Sequence, residues 1–367
     1  MLELISILYP YLVALYLADC LFYVGKQQIA FCSMFGGSYR KLNPGLHLTG
    51  FLPGDRLFIT GKRPFGLTPS GMYNPLEEND RNESLHRPEH YNFLPFASID
   101  ALSTDGSTLH LNENKSIQTD TRQEALLLVR RLSEIGALPY ADRKIAIEAG
   151  IQKDTDLNVV RDTYDRWALK ARPIDLMSTL LFACFFALLP LGLYLVPVAA
   201  GLMVVLIIFM LSMYGLILAT AWRQHKHLYP EDAGSLYKLI ATLIFSPVST
   251  MHISVHLTRN LLAGFDFMAV SALLLPRKQL ANEMRRELHL IETARNYSDK
   301  FGWEEYWHMR SAAMQTLLEK AALTIDAVFS KPQKIESAAV AYCPVCRTEY
   351  RDGFNSCSDC VVPLKAY

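Results

Sequence analysis

Residues 176–221 contain not one Asp, Glu, Lys or Arg. A bilayer crossing takes about 20 apolar helical residues, because lipid offers nothing to satisfy an unpaired backbone group. The run is too long for one crossing and suits two joined by a tight turn. Pro190, Gly192, Pro197 and Gly201 mark that turn, which places membrane helices at 176–196 and 201–221 with Trp222 at the boundary. The apolar content of 51% is therefore unevenly spread, since residues 26–175 have the charge density of a soluble domain.

Two further stretches are expected in the membrane. Residues 4–24 have the length of one crossing and follow a single charge, Glu3, so they lack the basic start and small-residue cleavage site of a secretory signal. They read as a retained anchor despite Pro10 and Asp19. Residues 239–276 are apolar but interrupted by His252, His256, Arg259, Asn260 and Asp266. A second hairpin, with helices at 239–257 and 261–275, competes there with a re-entrant or interfacial segment. About five crossings with the N-terminus outside put nearly every basic flank, from Lys26 to Arg286, in the cytoplasm and leave only Arg259 opposite.

The expected layout is an α+β multi-domain integral membrane protein, of the kind a bacterial inner membrane holds. It comprises an anchor (1–25), a β-rich domain (26–140), a charged helical connector (141–175), the transmembrane hairpin (176–222), a transmembrane or re-entrant hairpin (238–276), a helical pair (277–330), a linker (331–341) and a cysteine-rich tail (342–367).

Between the first two crossings the pattern is β-rich. Strands are expected at 47–52, 56–60, 90–96, 99–103, 108–111 and 116–118, with Asp105-Gly106 as a hairpin turn. Asp120 and Thr121, each followed three residues later by Gln123 or Glu124, offer overlapping capping boxes for a helix ending near Gly136. Short strands closed by one C-terminal helix beside an anchor resemble the bacterial PH-like domains over residues 29–136, which implies a curved sheet plugged by that helix and a binding or positioning role. The stretch 75–88 reads as a solvated loop. The connector reads as a solvated helix feeding the second crossing, or as a lipid-headgroup contact at its basic end, Arg166 to Arg172.

The tail carries the strongest chemical signal. Cys343, Cys346, Cys357 and Cys360 form C-x2-C, ten residues, C-x2-C. Thiolates two residues apart on a tight knuckle can face one ion, and two knuckles supply a closed tetrahedral site with no position left for substrate. The segment is similar to bacterial zinc ribbons over 342–364, with Pro344 in the first knuckle and Tyr350 and Phe354 near Gly353 on the hairpin. Arg347 stands where the knuckle glycine is usual, and Val361 in the matching place of the second knuckle. Structural zinc is the expected metal, with rubredoxin-like iron or an empty redox dithiol pair as alternatives. Such a module should not fold without its ion. The other cysteines, Cys20, Cys32 and Cys184, are isolated, and the total of seven argues against a secreted disulfide framework.

Other candidate ligands are sparse. His252 and His256 share a helix face at i, i+4, and Asp266 could join them, which would make a membrane metalloenzyme or redox protein. Both histidines also lie where imidazole would simply meet water or headgroups. Glu305-x-x-His308 and Glu83-x-x-His86 match di-iron spacing, but the first sits in an aromatic segment, Trp303, Tyr306 and Trp307, that reads as an interface or membrane-surface patch. Phosphate-cradling, hydride-transfer and nucleophilic-elbow motifs are missing. Formal charge balances at 36 against 36, and Lys334, Arg347, Arg351 and Lys365 are offset by Glu336, Glu349, Asp352 and Asp359, so no nucleic-acid partner is expected. Apolar stripes on 277–297 and 303–329, with Gly302 between, predict an antiparallel helical pair. The expected function is a membrane-anchored scaffold or accessory subunit that binds lipid bilayer and protein partners, with its β-rich domain and ribbon cytoplasmic.

Overall fold

The computed structural model describes residues 2–24, 28–32, 39–42, 45–48, 51–53, 55–60, 66–75, 91–99, 101–112, 115–119, 122–194, 196–228, 241, 247–262, 264–295, 303–360 and 362–367. They divide into two units, Met1–Thr60 with Asp162–Ala263 and Gly61–Arg161 with Gly264–Tyr367.

In the first unit the charge-free run is helical on both sides of residue 195. The helix Leu157–Ala183 continues through a π-helical turn, Cys184–Leu188, into Leu189–Tyr194, and Val196–Leu228 follows. Pro190 accounts for the wide turn. It has no N–H to give the carbonyl four residues back, and the turn before it loosens until the Leu189 N–H bonds the Cys184 carbonyl. Pro190 and Gly192, expected in the connection, therefore lie within the helix. A Cβ at Gly192 would stand 2.1 Å from Met203 Sδ on the next helix, so a larger residue there would displace the Met203 side chain.

Leu157–Tyr194 and Gly201–Leu228 are long and apolar enough to cross a membrane. Only 28% and 17% of their most apolar windows is buried, and Leu176, Leu188, Leu202, Ile208 and Leu211 are exposed. A soluble core helix would be covered by protein, so this pattern suits lipid contact.

The expectation of about five crossings is overturned. The described apolar part of the first helix, Ile7–Cys20, falls short of a crossing, and its Tyr16 and Cys20 are buried in protein. Tyr16 stacks on His252, with 4.9 Å between ring centroids, and packs against Phe51, Phe182 and Phe186. The second expected hairpin fares no better. Ile253–Leu262 has 10 residues and Phe267–Leu274 has 8, about 15 and 12 Å of helix against a core of roughly 30 Å. Asp266 divides them, because its carboxylate caps the second helix by accepting the Met268 N–H. Of the expected stretch 239–246, only residue 241 is described.

The PH-like expectation is overturned as well. Strands up to Thr60 belong to the first unit and those from Gly66 onward to the second. Among the described residues they form a two-stranded sheet and separate three-stranded antiparallel sheets, and none closes or curls. Residues 76–90, most of the expected loop and including Glu83 and His86, lie outside the described set.

In the second unit, Gly66–Thr68, Gly71–Pro75 and Tyr91–Pro95 make one sheet, and Leu102–Asp105, Thr108–Leu111 and Lys115–Gln118 another. The hairpin turn occurs at Gly106-Ser107, one residue beyond the expected pair, and Gly106 supplies the positive φ of +60°. The helix Arg122–Gly136 lies on the second sheet and buries Leu128, Leu132 and Ile135 among Leu109, Leu111 and Ile117. The connector breaks at Thr155-Asp156 into Tyr140–Asp154 and Leu157–Ala183. Two of its acids pair with other elements, Asp154 with Arg131 at 2.5 Å and Asp156 with Lys320 at 2.9 Å.

The helical pair forms as Arg277–Arg295 and Trp303–Lys320, with a short helix Ile325–Phe329 after it. Trp303 bonds the Ala294 carbonyl, Arg310 meets Glu287 and Arg277 meets the Ala322 carbonyl, which fixes the two as antiparallel. Gly302 lies outside the described residues. The aromatic segment does not form the expected interface or membrane-surface patch. Trp303, Tyr306 and Trp307 are interior residues, with Trp303 edge-on to Tyr73 at 4.5 Å.

Candidate metal centre

The tail is a three-stranded antiparallel sheet in which Ala341–Tyr342 pairs with both Glu349–Tyr350 and Lys365–Ala366. Each knuckle begins at a strand end or bridge: Cys343 follows the first strand, and the Ser356–Pro363 bridge frames Cys357 and Cys360. Strand pairing thus brings together two cysteine pairs that the chain holds ten residues apart.

All four Sγ atoms lie within 4.8 Å of one another, and Cys346 and Cys357 are 3.6 Å apart. Tetrahedral coordination at about 2.3 Å per Zn–S bond demands sulfur separations of about 3.8 Å, so the donor set fits a thiolate-bound ion. The backbone is already arranged for thiolates. The N–H groups of Val345 and Cys346 donate to Cys343 Sγ, and that of Cys360 to Cys357 Sγ, each at 3.4 Å. The Tyr350 hydroxyl donates to Cys357 Sγ at 3.2 Å and is held by the Ser358 N–H at 3.1 Å. Thr348 Oγ1 stands 3.1 Å from Cys346 Sγ.

Crowding pulls Cys343, Cys346 and Cys360 in different directions. Hydrogen bonds from Cys343 and then Cys360 hold the Cys346 thiol well below its ordinary range. Contacts with Cys343 and then Cys346 push Cys360 far above it, and the contact with Cys346 pushes Cys343 up to about 11. A cation between the sulfurs removes the conflict, since each thiolate then faces positive charge.

Arg347 occupies the knuckle position with φ +65°, the left-handed conformation that explains why glycine is usual there. The cost of roughly 1 kcal/mol is offset by its guanidinium, whose Nη2 donates to the Ser330 carbonyl at 3.0 Å and to Ser330 Oγ at 3.1 Å. Val361 lies outside the described residues. The linker is bound rather than loose: the N–H groups of Ile335 and Glu336 each donate to the Glu349 carboxylate at 2.7 Å. With the Tyr367 hydroxyl as its principal donor, that carboxyl is held below its ordinary range. Glu349 as a support of the tail had no signal in residue spacing, because its role comes from tertiary contacts; Tyr350 was marked as a hairpin aromatic, and its hydroxyl bond to Cys357 was not foreseen.

The remaining candidates are not brought together. His252 is buried with its Nε2 3.7 Å from Cys20 Sγ, and burial followed by the neighbouring His256 lowers it to about 4. The His256 side chain is exposed. Asp266 is committed to its helix cap and to Arg310 at 2.7 Å. Glu305 pairs with Lys144 at 2.5 Å, and His308 lies 3.4 Å from Glu304. Among the described residues, the four cysteines are the one group of three or more metal-ligating side chains placed to share an ion. No protein-family model, curated protein or solved structure matches the chain.

Proposed function

We propose that this protein is a membrane-anchored scaffold or accessory subunit whose cysteine-rich tail is a ribbon closed around one structural zinc. The closed donor set carries the reading. Four sulfurs fill a tetrahedron, so substrate or water has no coordination position, and the ion can organise the tail but not polarise a reactant. Zinc is favoured over iron because Arg347 and Val361 stand where a rubredoxin-like site has its knuckle glycines. Two crossings return the chain to the side it left, which would put the β-rich segments and the ribbon together on the cytoplasmic face of a bacterial inner membrane.

Gentle detergent extraction of the tagged chain tests the scaffold role. A protein that co-purifies in fixed ratio, and is lost when all four ribbon cysteines are replaced by serine, is the expected result. A chain that purifies alone and binds equally little in both forms would overturn it.

A further inference from the structure

We propose that the metal-loaded ribbon is the counter-ion of Arg285, so that ion binding and docking of the ribbon on the helical pair are one coupled event. This rests on the zinc reading above and adds to it a partner within the chain. Arg285, on the helix Arg277–Arg295, is 1% exposed. Its Nε donates to the Val328 carbonyl at 2.6 Å, and its Nη1 to Asn282 Oδ1 at 3.2 Å and to the Val345 carbonyl at 3.4 Å. Val345 lies inside the first cysteine knuckle, so this one side chain joins the helix, the end of the short helix Ile325–Phe329 and the metal loop.

What Arg285 lacks is a carboxylate. All its bonded partners among the described residues are neutral oxygens, and its buried Nη2 has no partner. A buried cation without an anion is costly. Burial first, then Arg347 and Arg286, oppose its charge, and the groups that favour it are Cys343 and Cys346. Four thiolates around a divalent ion carry a net charge of two minus. Arg285 and Arg347 carry the two matching positive charges, and Arg347 is itself tied to Val328 and Ser330 on the helical side. The cluster therefore supplies the anion that the buried guanidinium needs, and the guanidinium stabilises thiolates that would otherwise repel one another.

The test uses the full chain in detergent, zinc as the probe, and the variants R285Q, R285K and R347G. R347G keeps the left-handed backbone while deleting the cation. Competition against a chromophoric chelator should show zinc affinity falling about 10- to 100-fold in R285Q and R347G, with much of it recovered in R285K. Protease should cut within 331–340 in chelated wild type and in zinc-bound R285Q, but not in zinc-bound wild type. If R285Q loses helix content, R347G and chelated wild type still decide the matter. Unchanged affinity in R347G, or a linker equally protected with and without zinc, would overturn the coupling while leaving the zinc site standing. A wild type that binds no zinc would overturn the reading beneath it as well.

Discussion

Replacing Arg310 by leucine removes the cation that ties the helical pair to the Asp266 cap. Arg310 is 11% exposed and bridges two carboxylates, with Nη1 2.7 Å from Asp266 Oδ2 and Nε 2.5 Å from Glu287 Oε1. Their side chains are themselves only 15% and 14% exposed, so the variant strands two acids away from water. Breaking a buried pair costs about 3–5 kcal/mol. For a unit of this size each kcal/mol moves the midpoint by about 2–4 °C, so the fall should be on the order of 10 °C. Trp307 and Trp303 lie about one and two turns away on the same helix, so tryptophan fluorescence during thermal or guanidinium unfolding reads this helix, with Trp167 and Trp222 as the other emitters. The loss should also depend on pH. Burial pushes the Glu287 carboxyl up and Arg310 pulls it back, so without Arg310 it rises further. A carboxyl raised in the fold stabilises it when protonated and loses that contribution as pH climbs through the raised value. The deficit should therefore be largest near neutrality and shrink toward pH about 5. Adding D266N and E287Q to R310L should restore most of the stability, because the stranded acids rather than the missing bonds dominate. An R310L midpoint within a degree of wild type, or a deficit that grows on acidification, would refute the reasoning.

Two other substitutions test separate parts of the second unit. Gly71→Ala should cost about 1–3 kcal/mol in the same unfolding assay, since its Cβ would stand 2.2 Å from the Leu94 carbonyl oxygen; an unchanged midpoint would mean that the strands separate freely there. Tyr350→Phe removes the hydroxyl that donates to Cys357 Sγ and should weaken zinc binding in chelator competition without abolishing it, by about tenfold, whereas full-strength binding would show that bond to be dispensable.

Local chemistry was the part of this fold written most plainly in the residues. The hairpin beside Asp105-Gly106, the helix Arg122–Gly136, the antiparallel pair and the cysteine knuckles follow from turn residues, periodicity and spacing, while Asp120 and Thr121, the expected caps, lie outside the described residues. Hydropathy overreached where apolar residues served protein rather than lipid, as with Tyr16 and Cys20 in the first helix and the stretch that Asp266 divides. Strand pairing over distance was not legible either. Leu21–Val24 finds Gly45–Leu48, and Gln28–Cys32 finds Arg56–Thr60, and nothing in a single strand names its mate. At the candidate metal centre the four-cysteine cluster was evident in the spacing and its hydrogen-bond supports were not. Arg347 looked like a departure from the ribbon pattern; its backbone keeps the glycine's conformation and its side chain gains an anchor.

The zinc content of the full chain, purified in detergent with no added metal, measured together with that of the C343S/C346S/C357S/C360S variant, bears most directly on the central claim. One zinc per wild-type chain and none in the variant is the predicted result. Metal retained by the variant, or a folded wild-type tail that carries no ion, would contradict it.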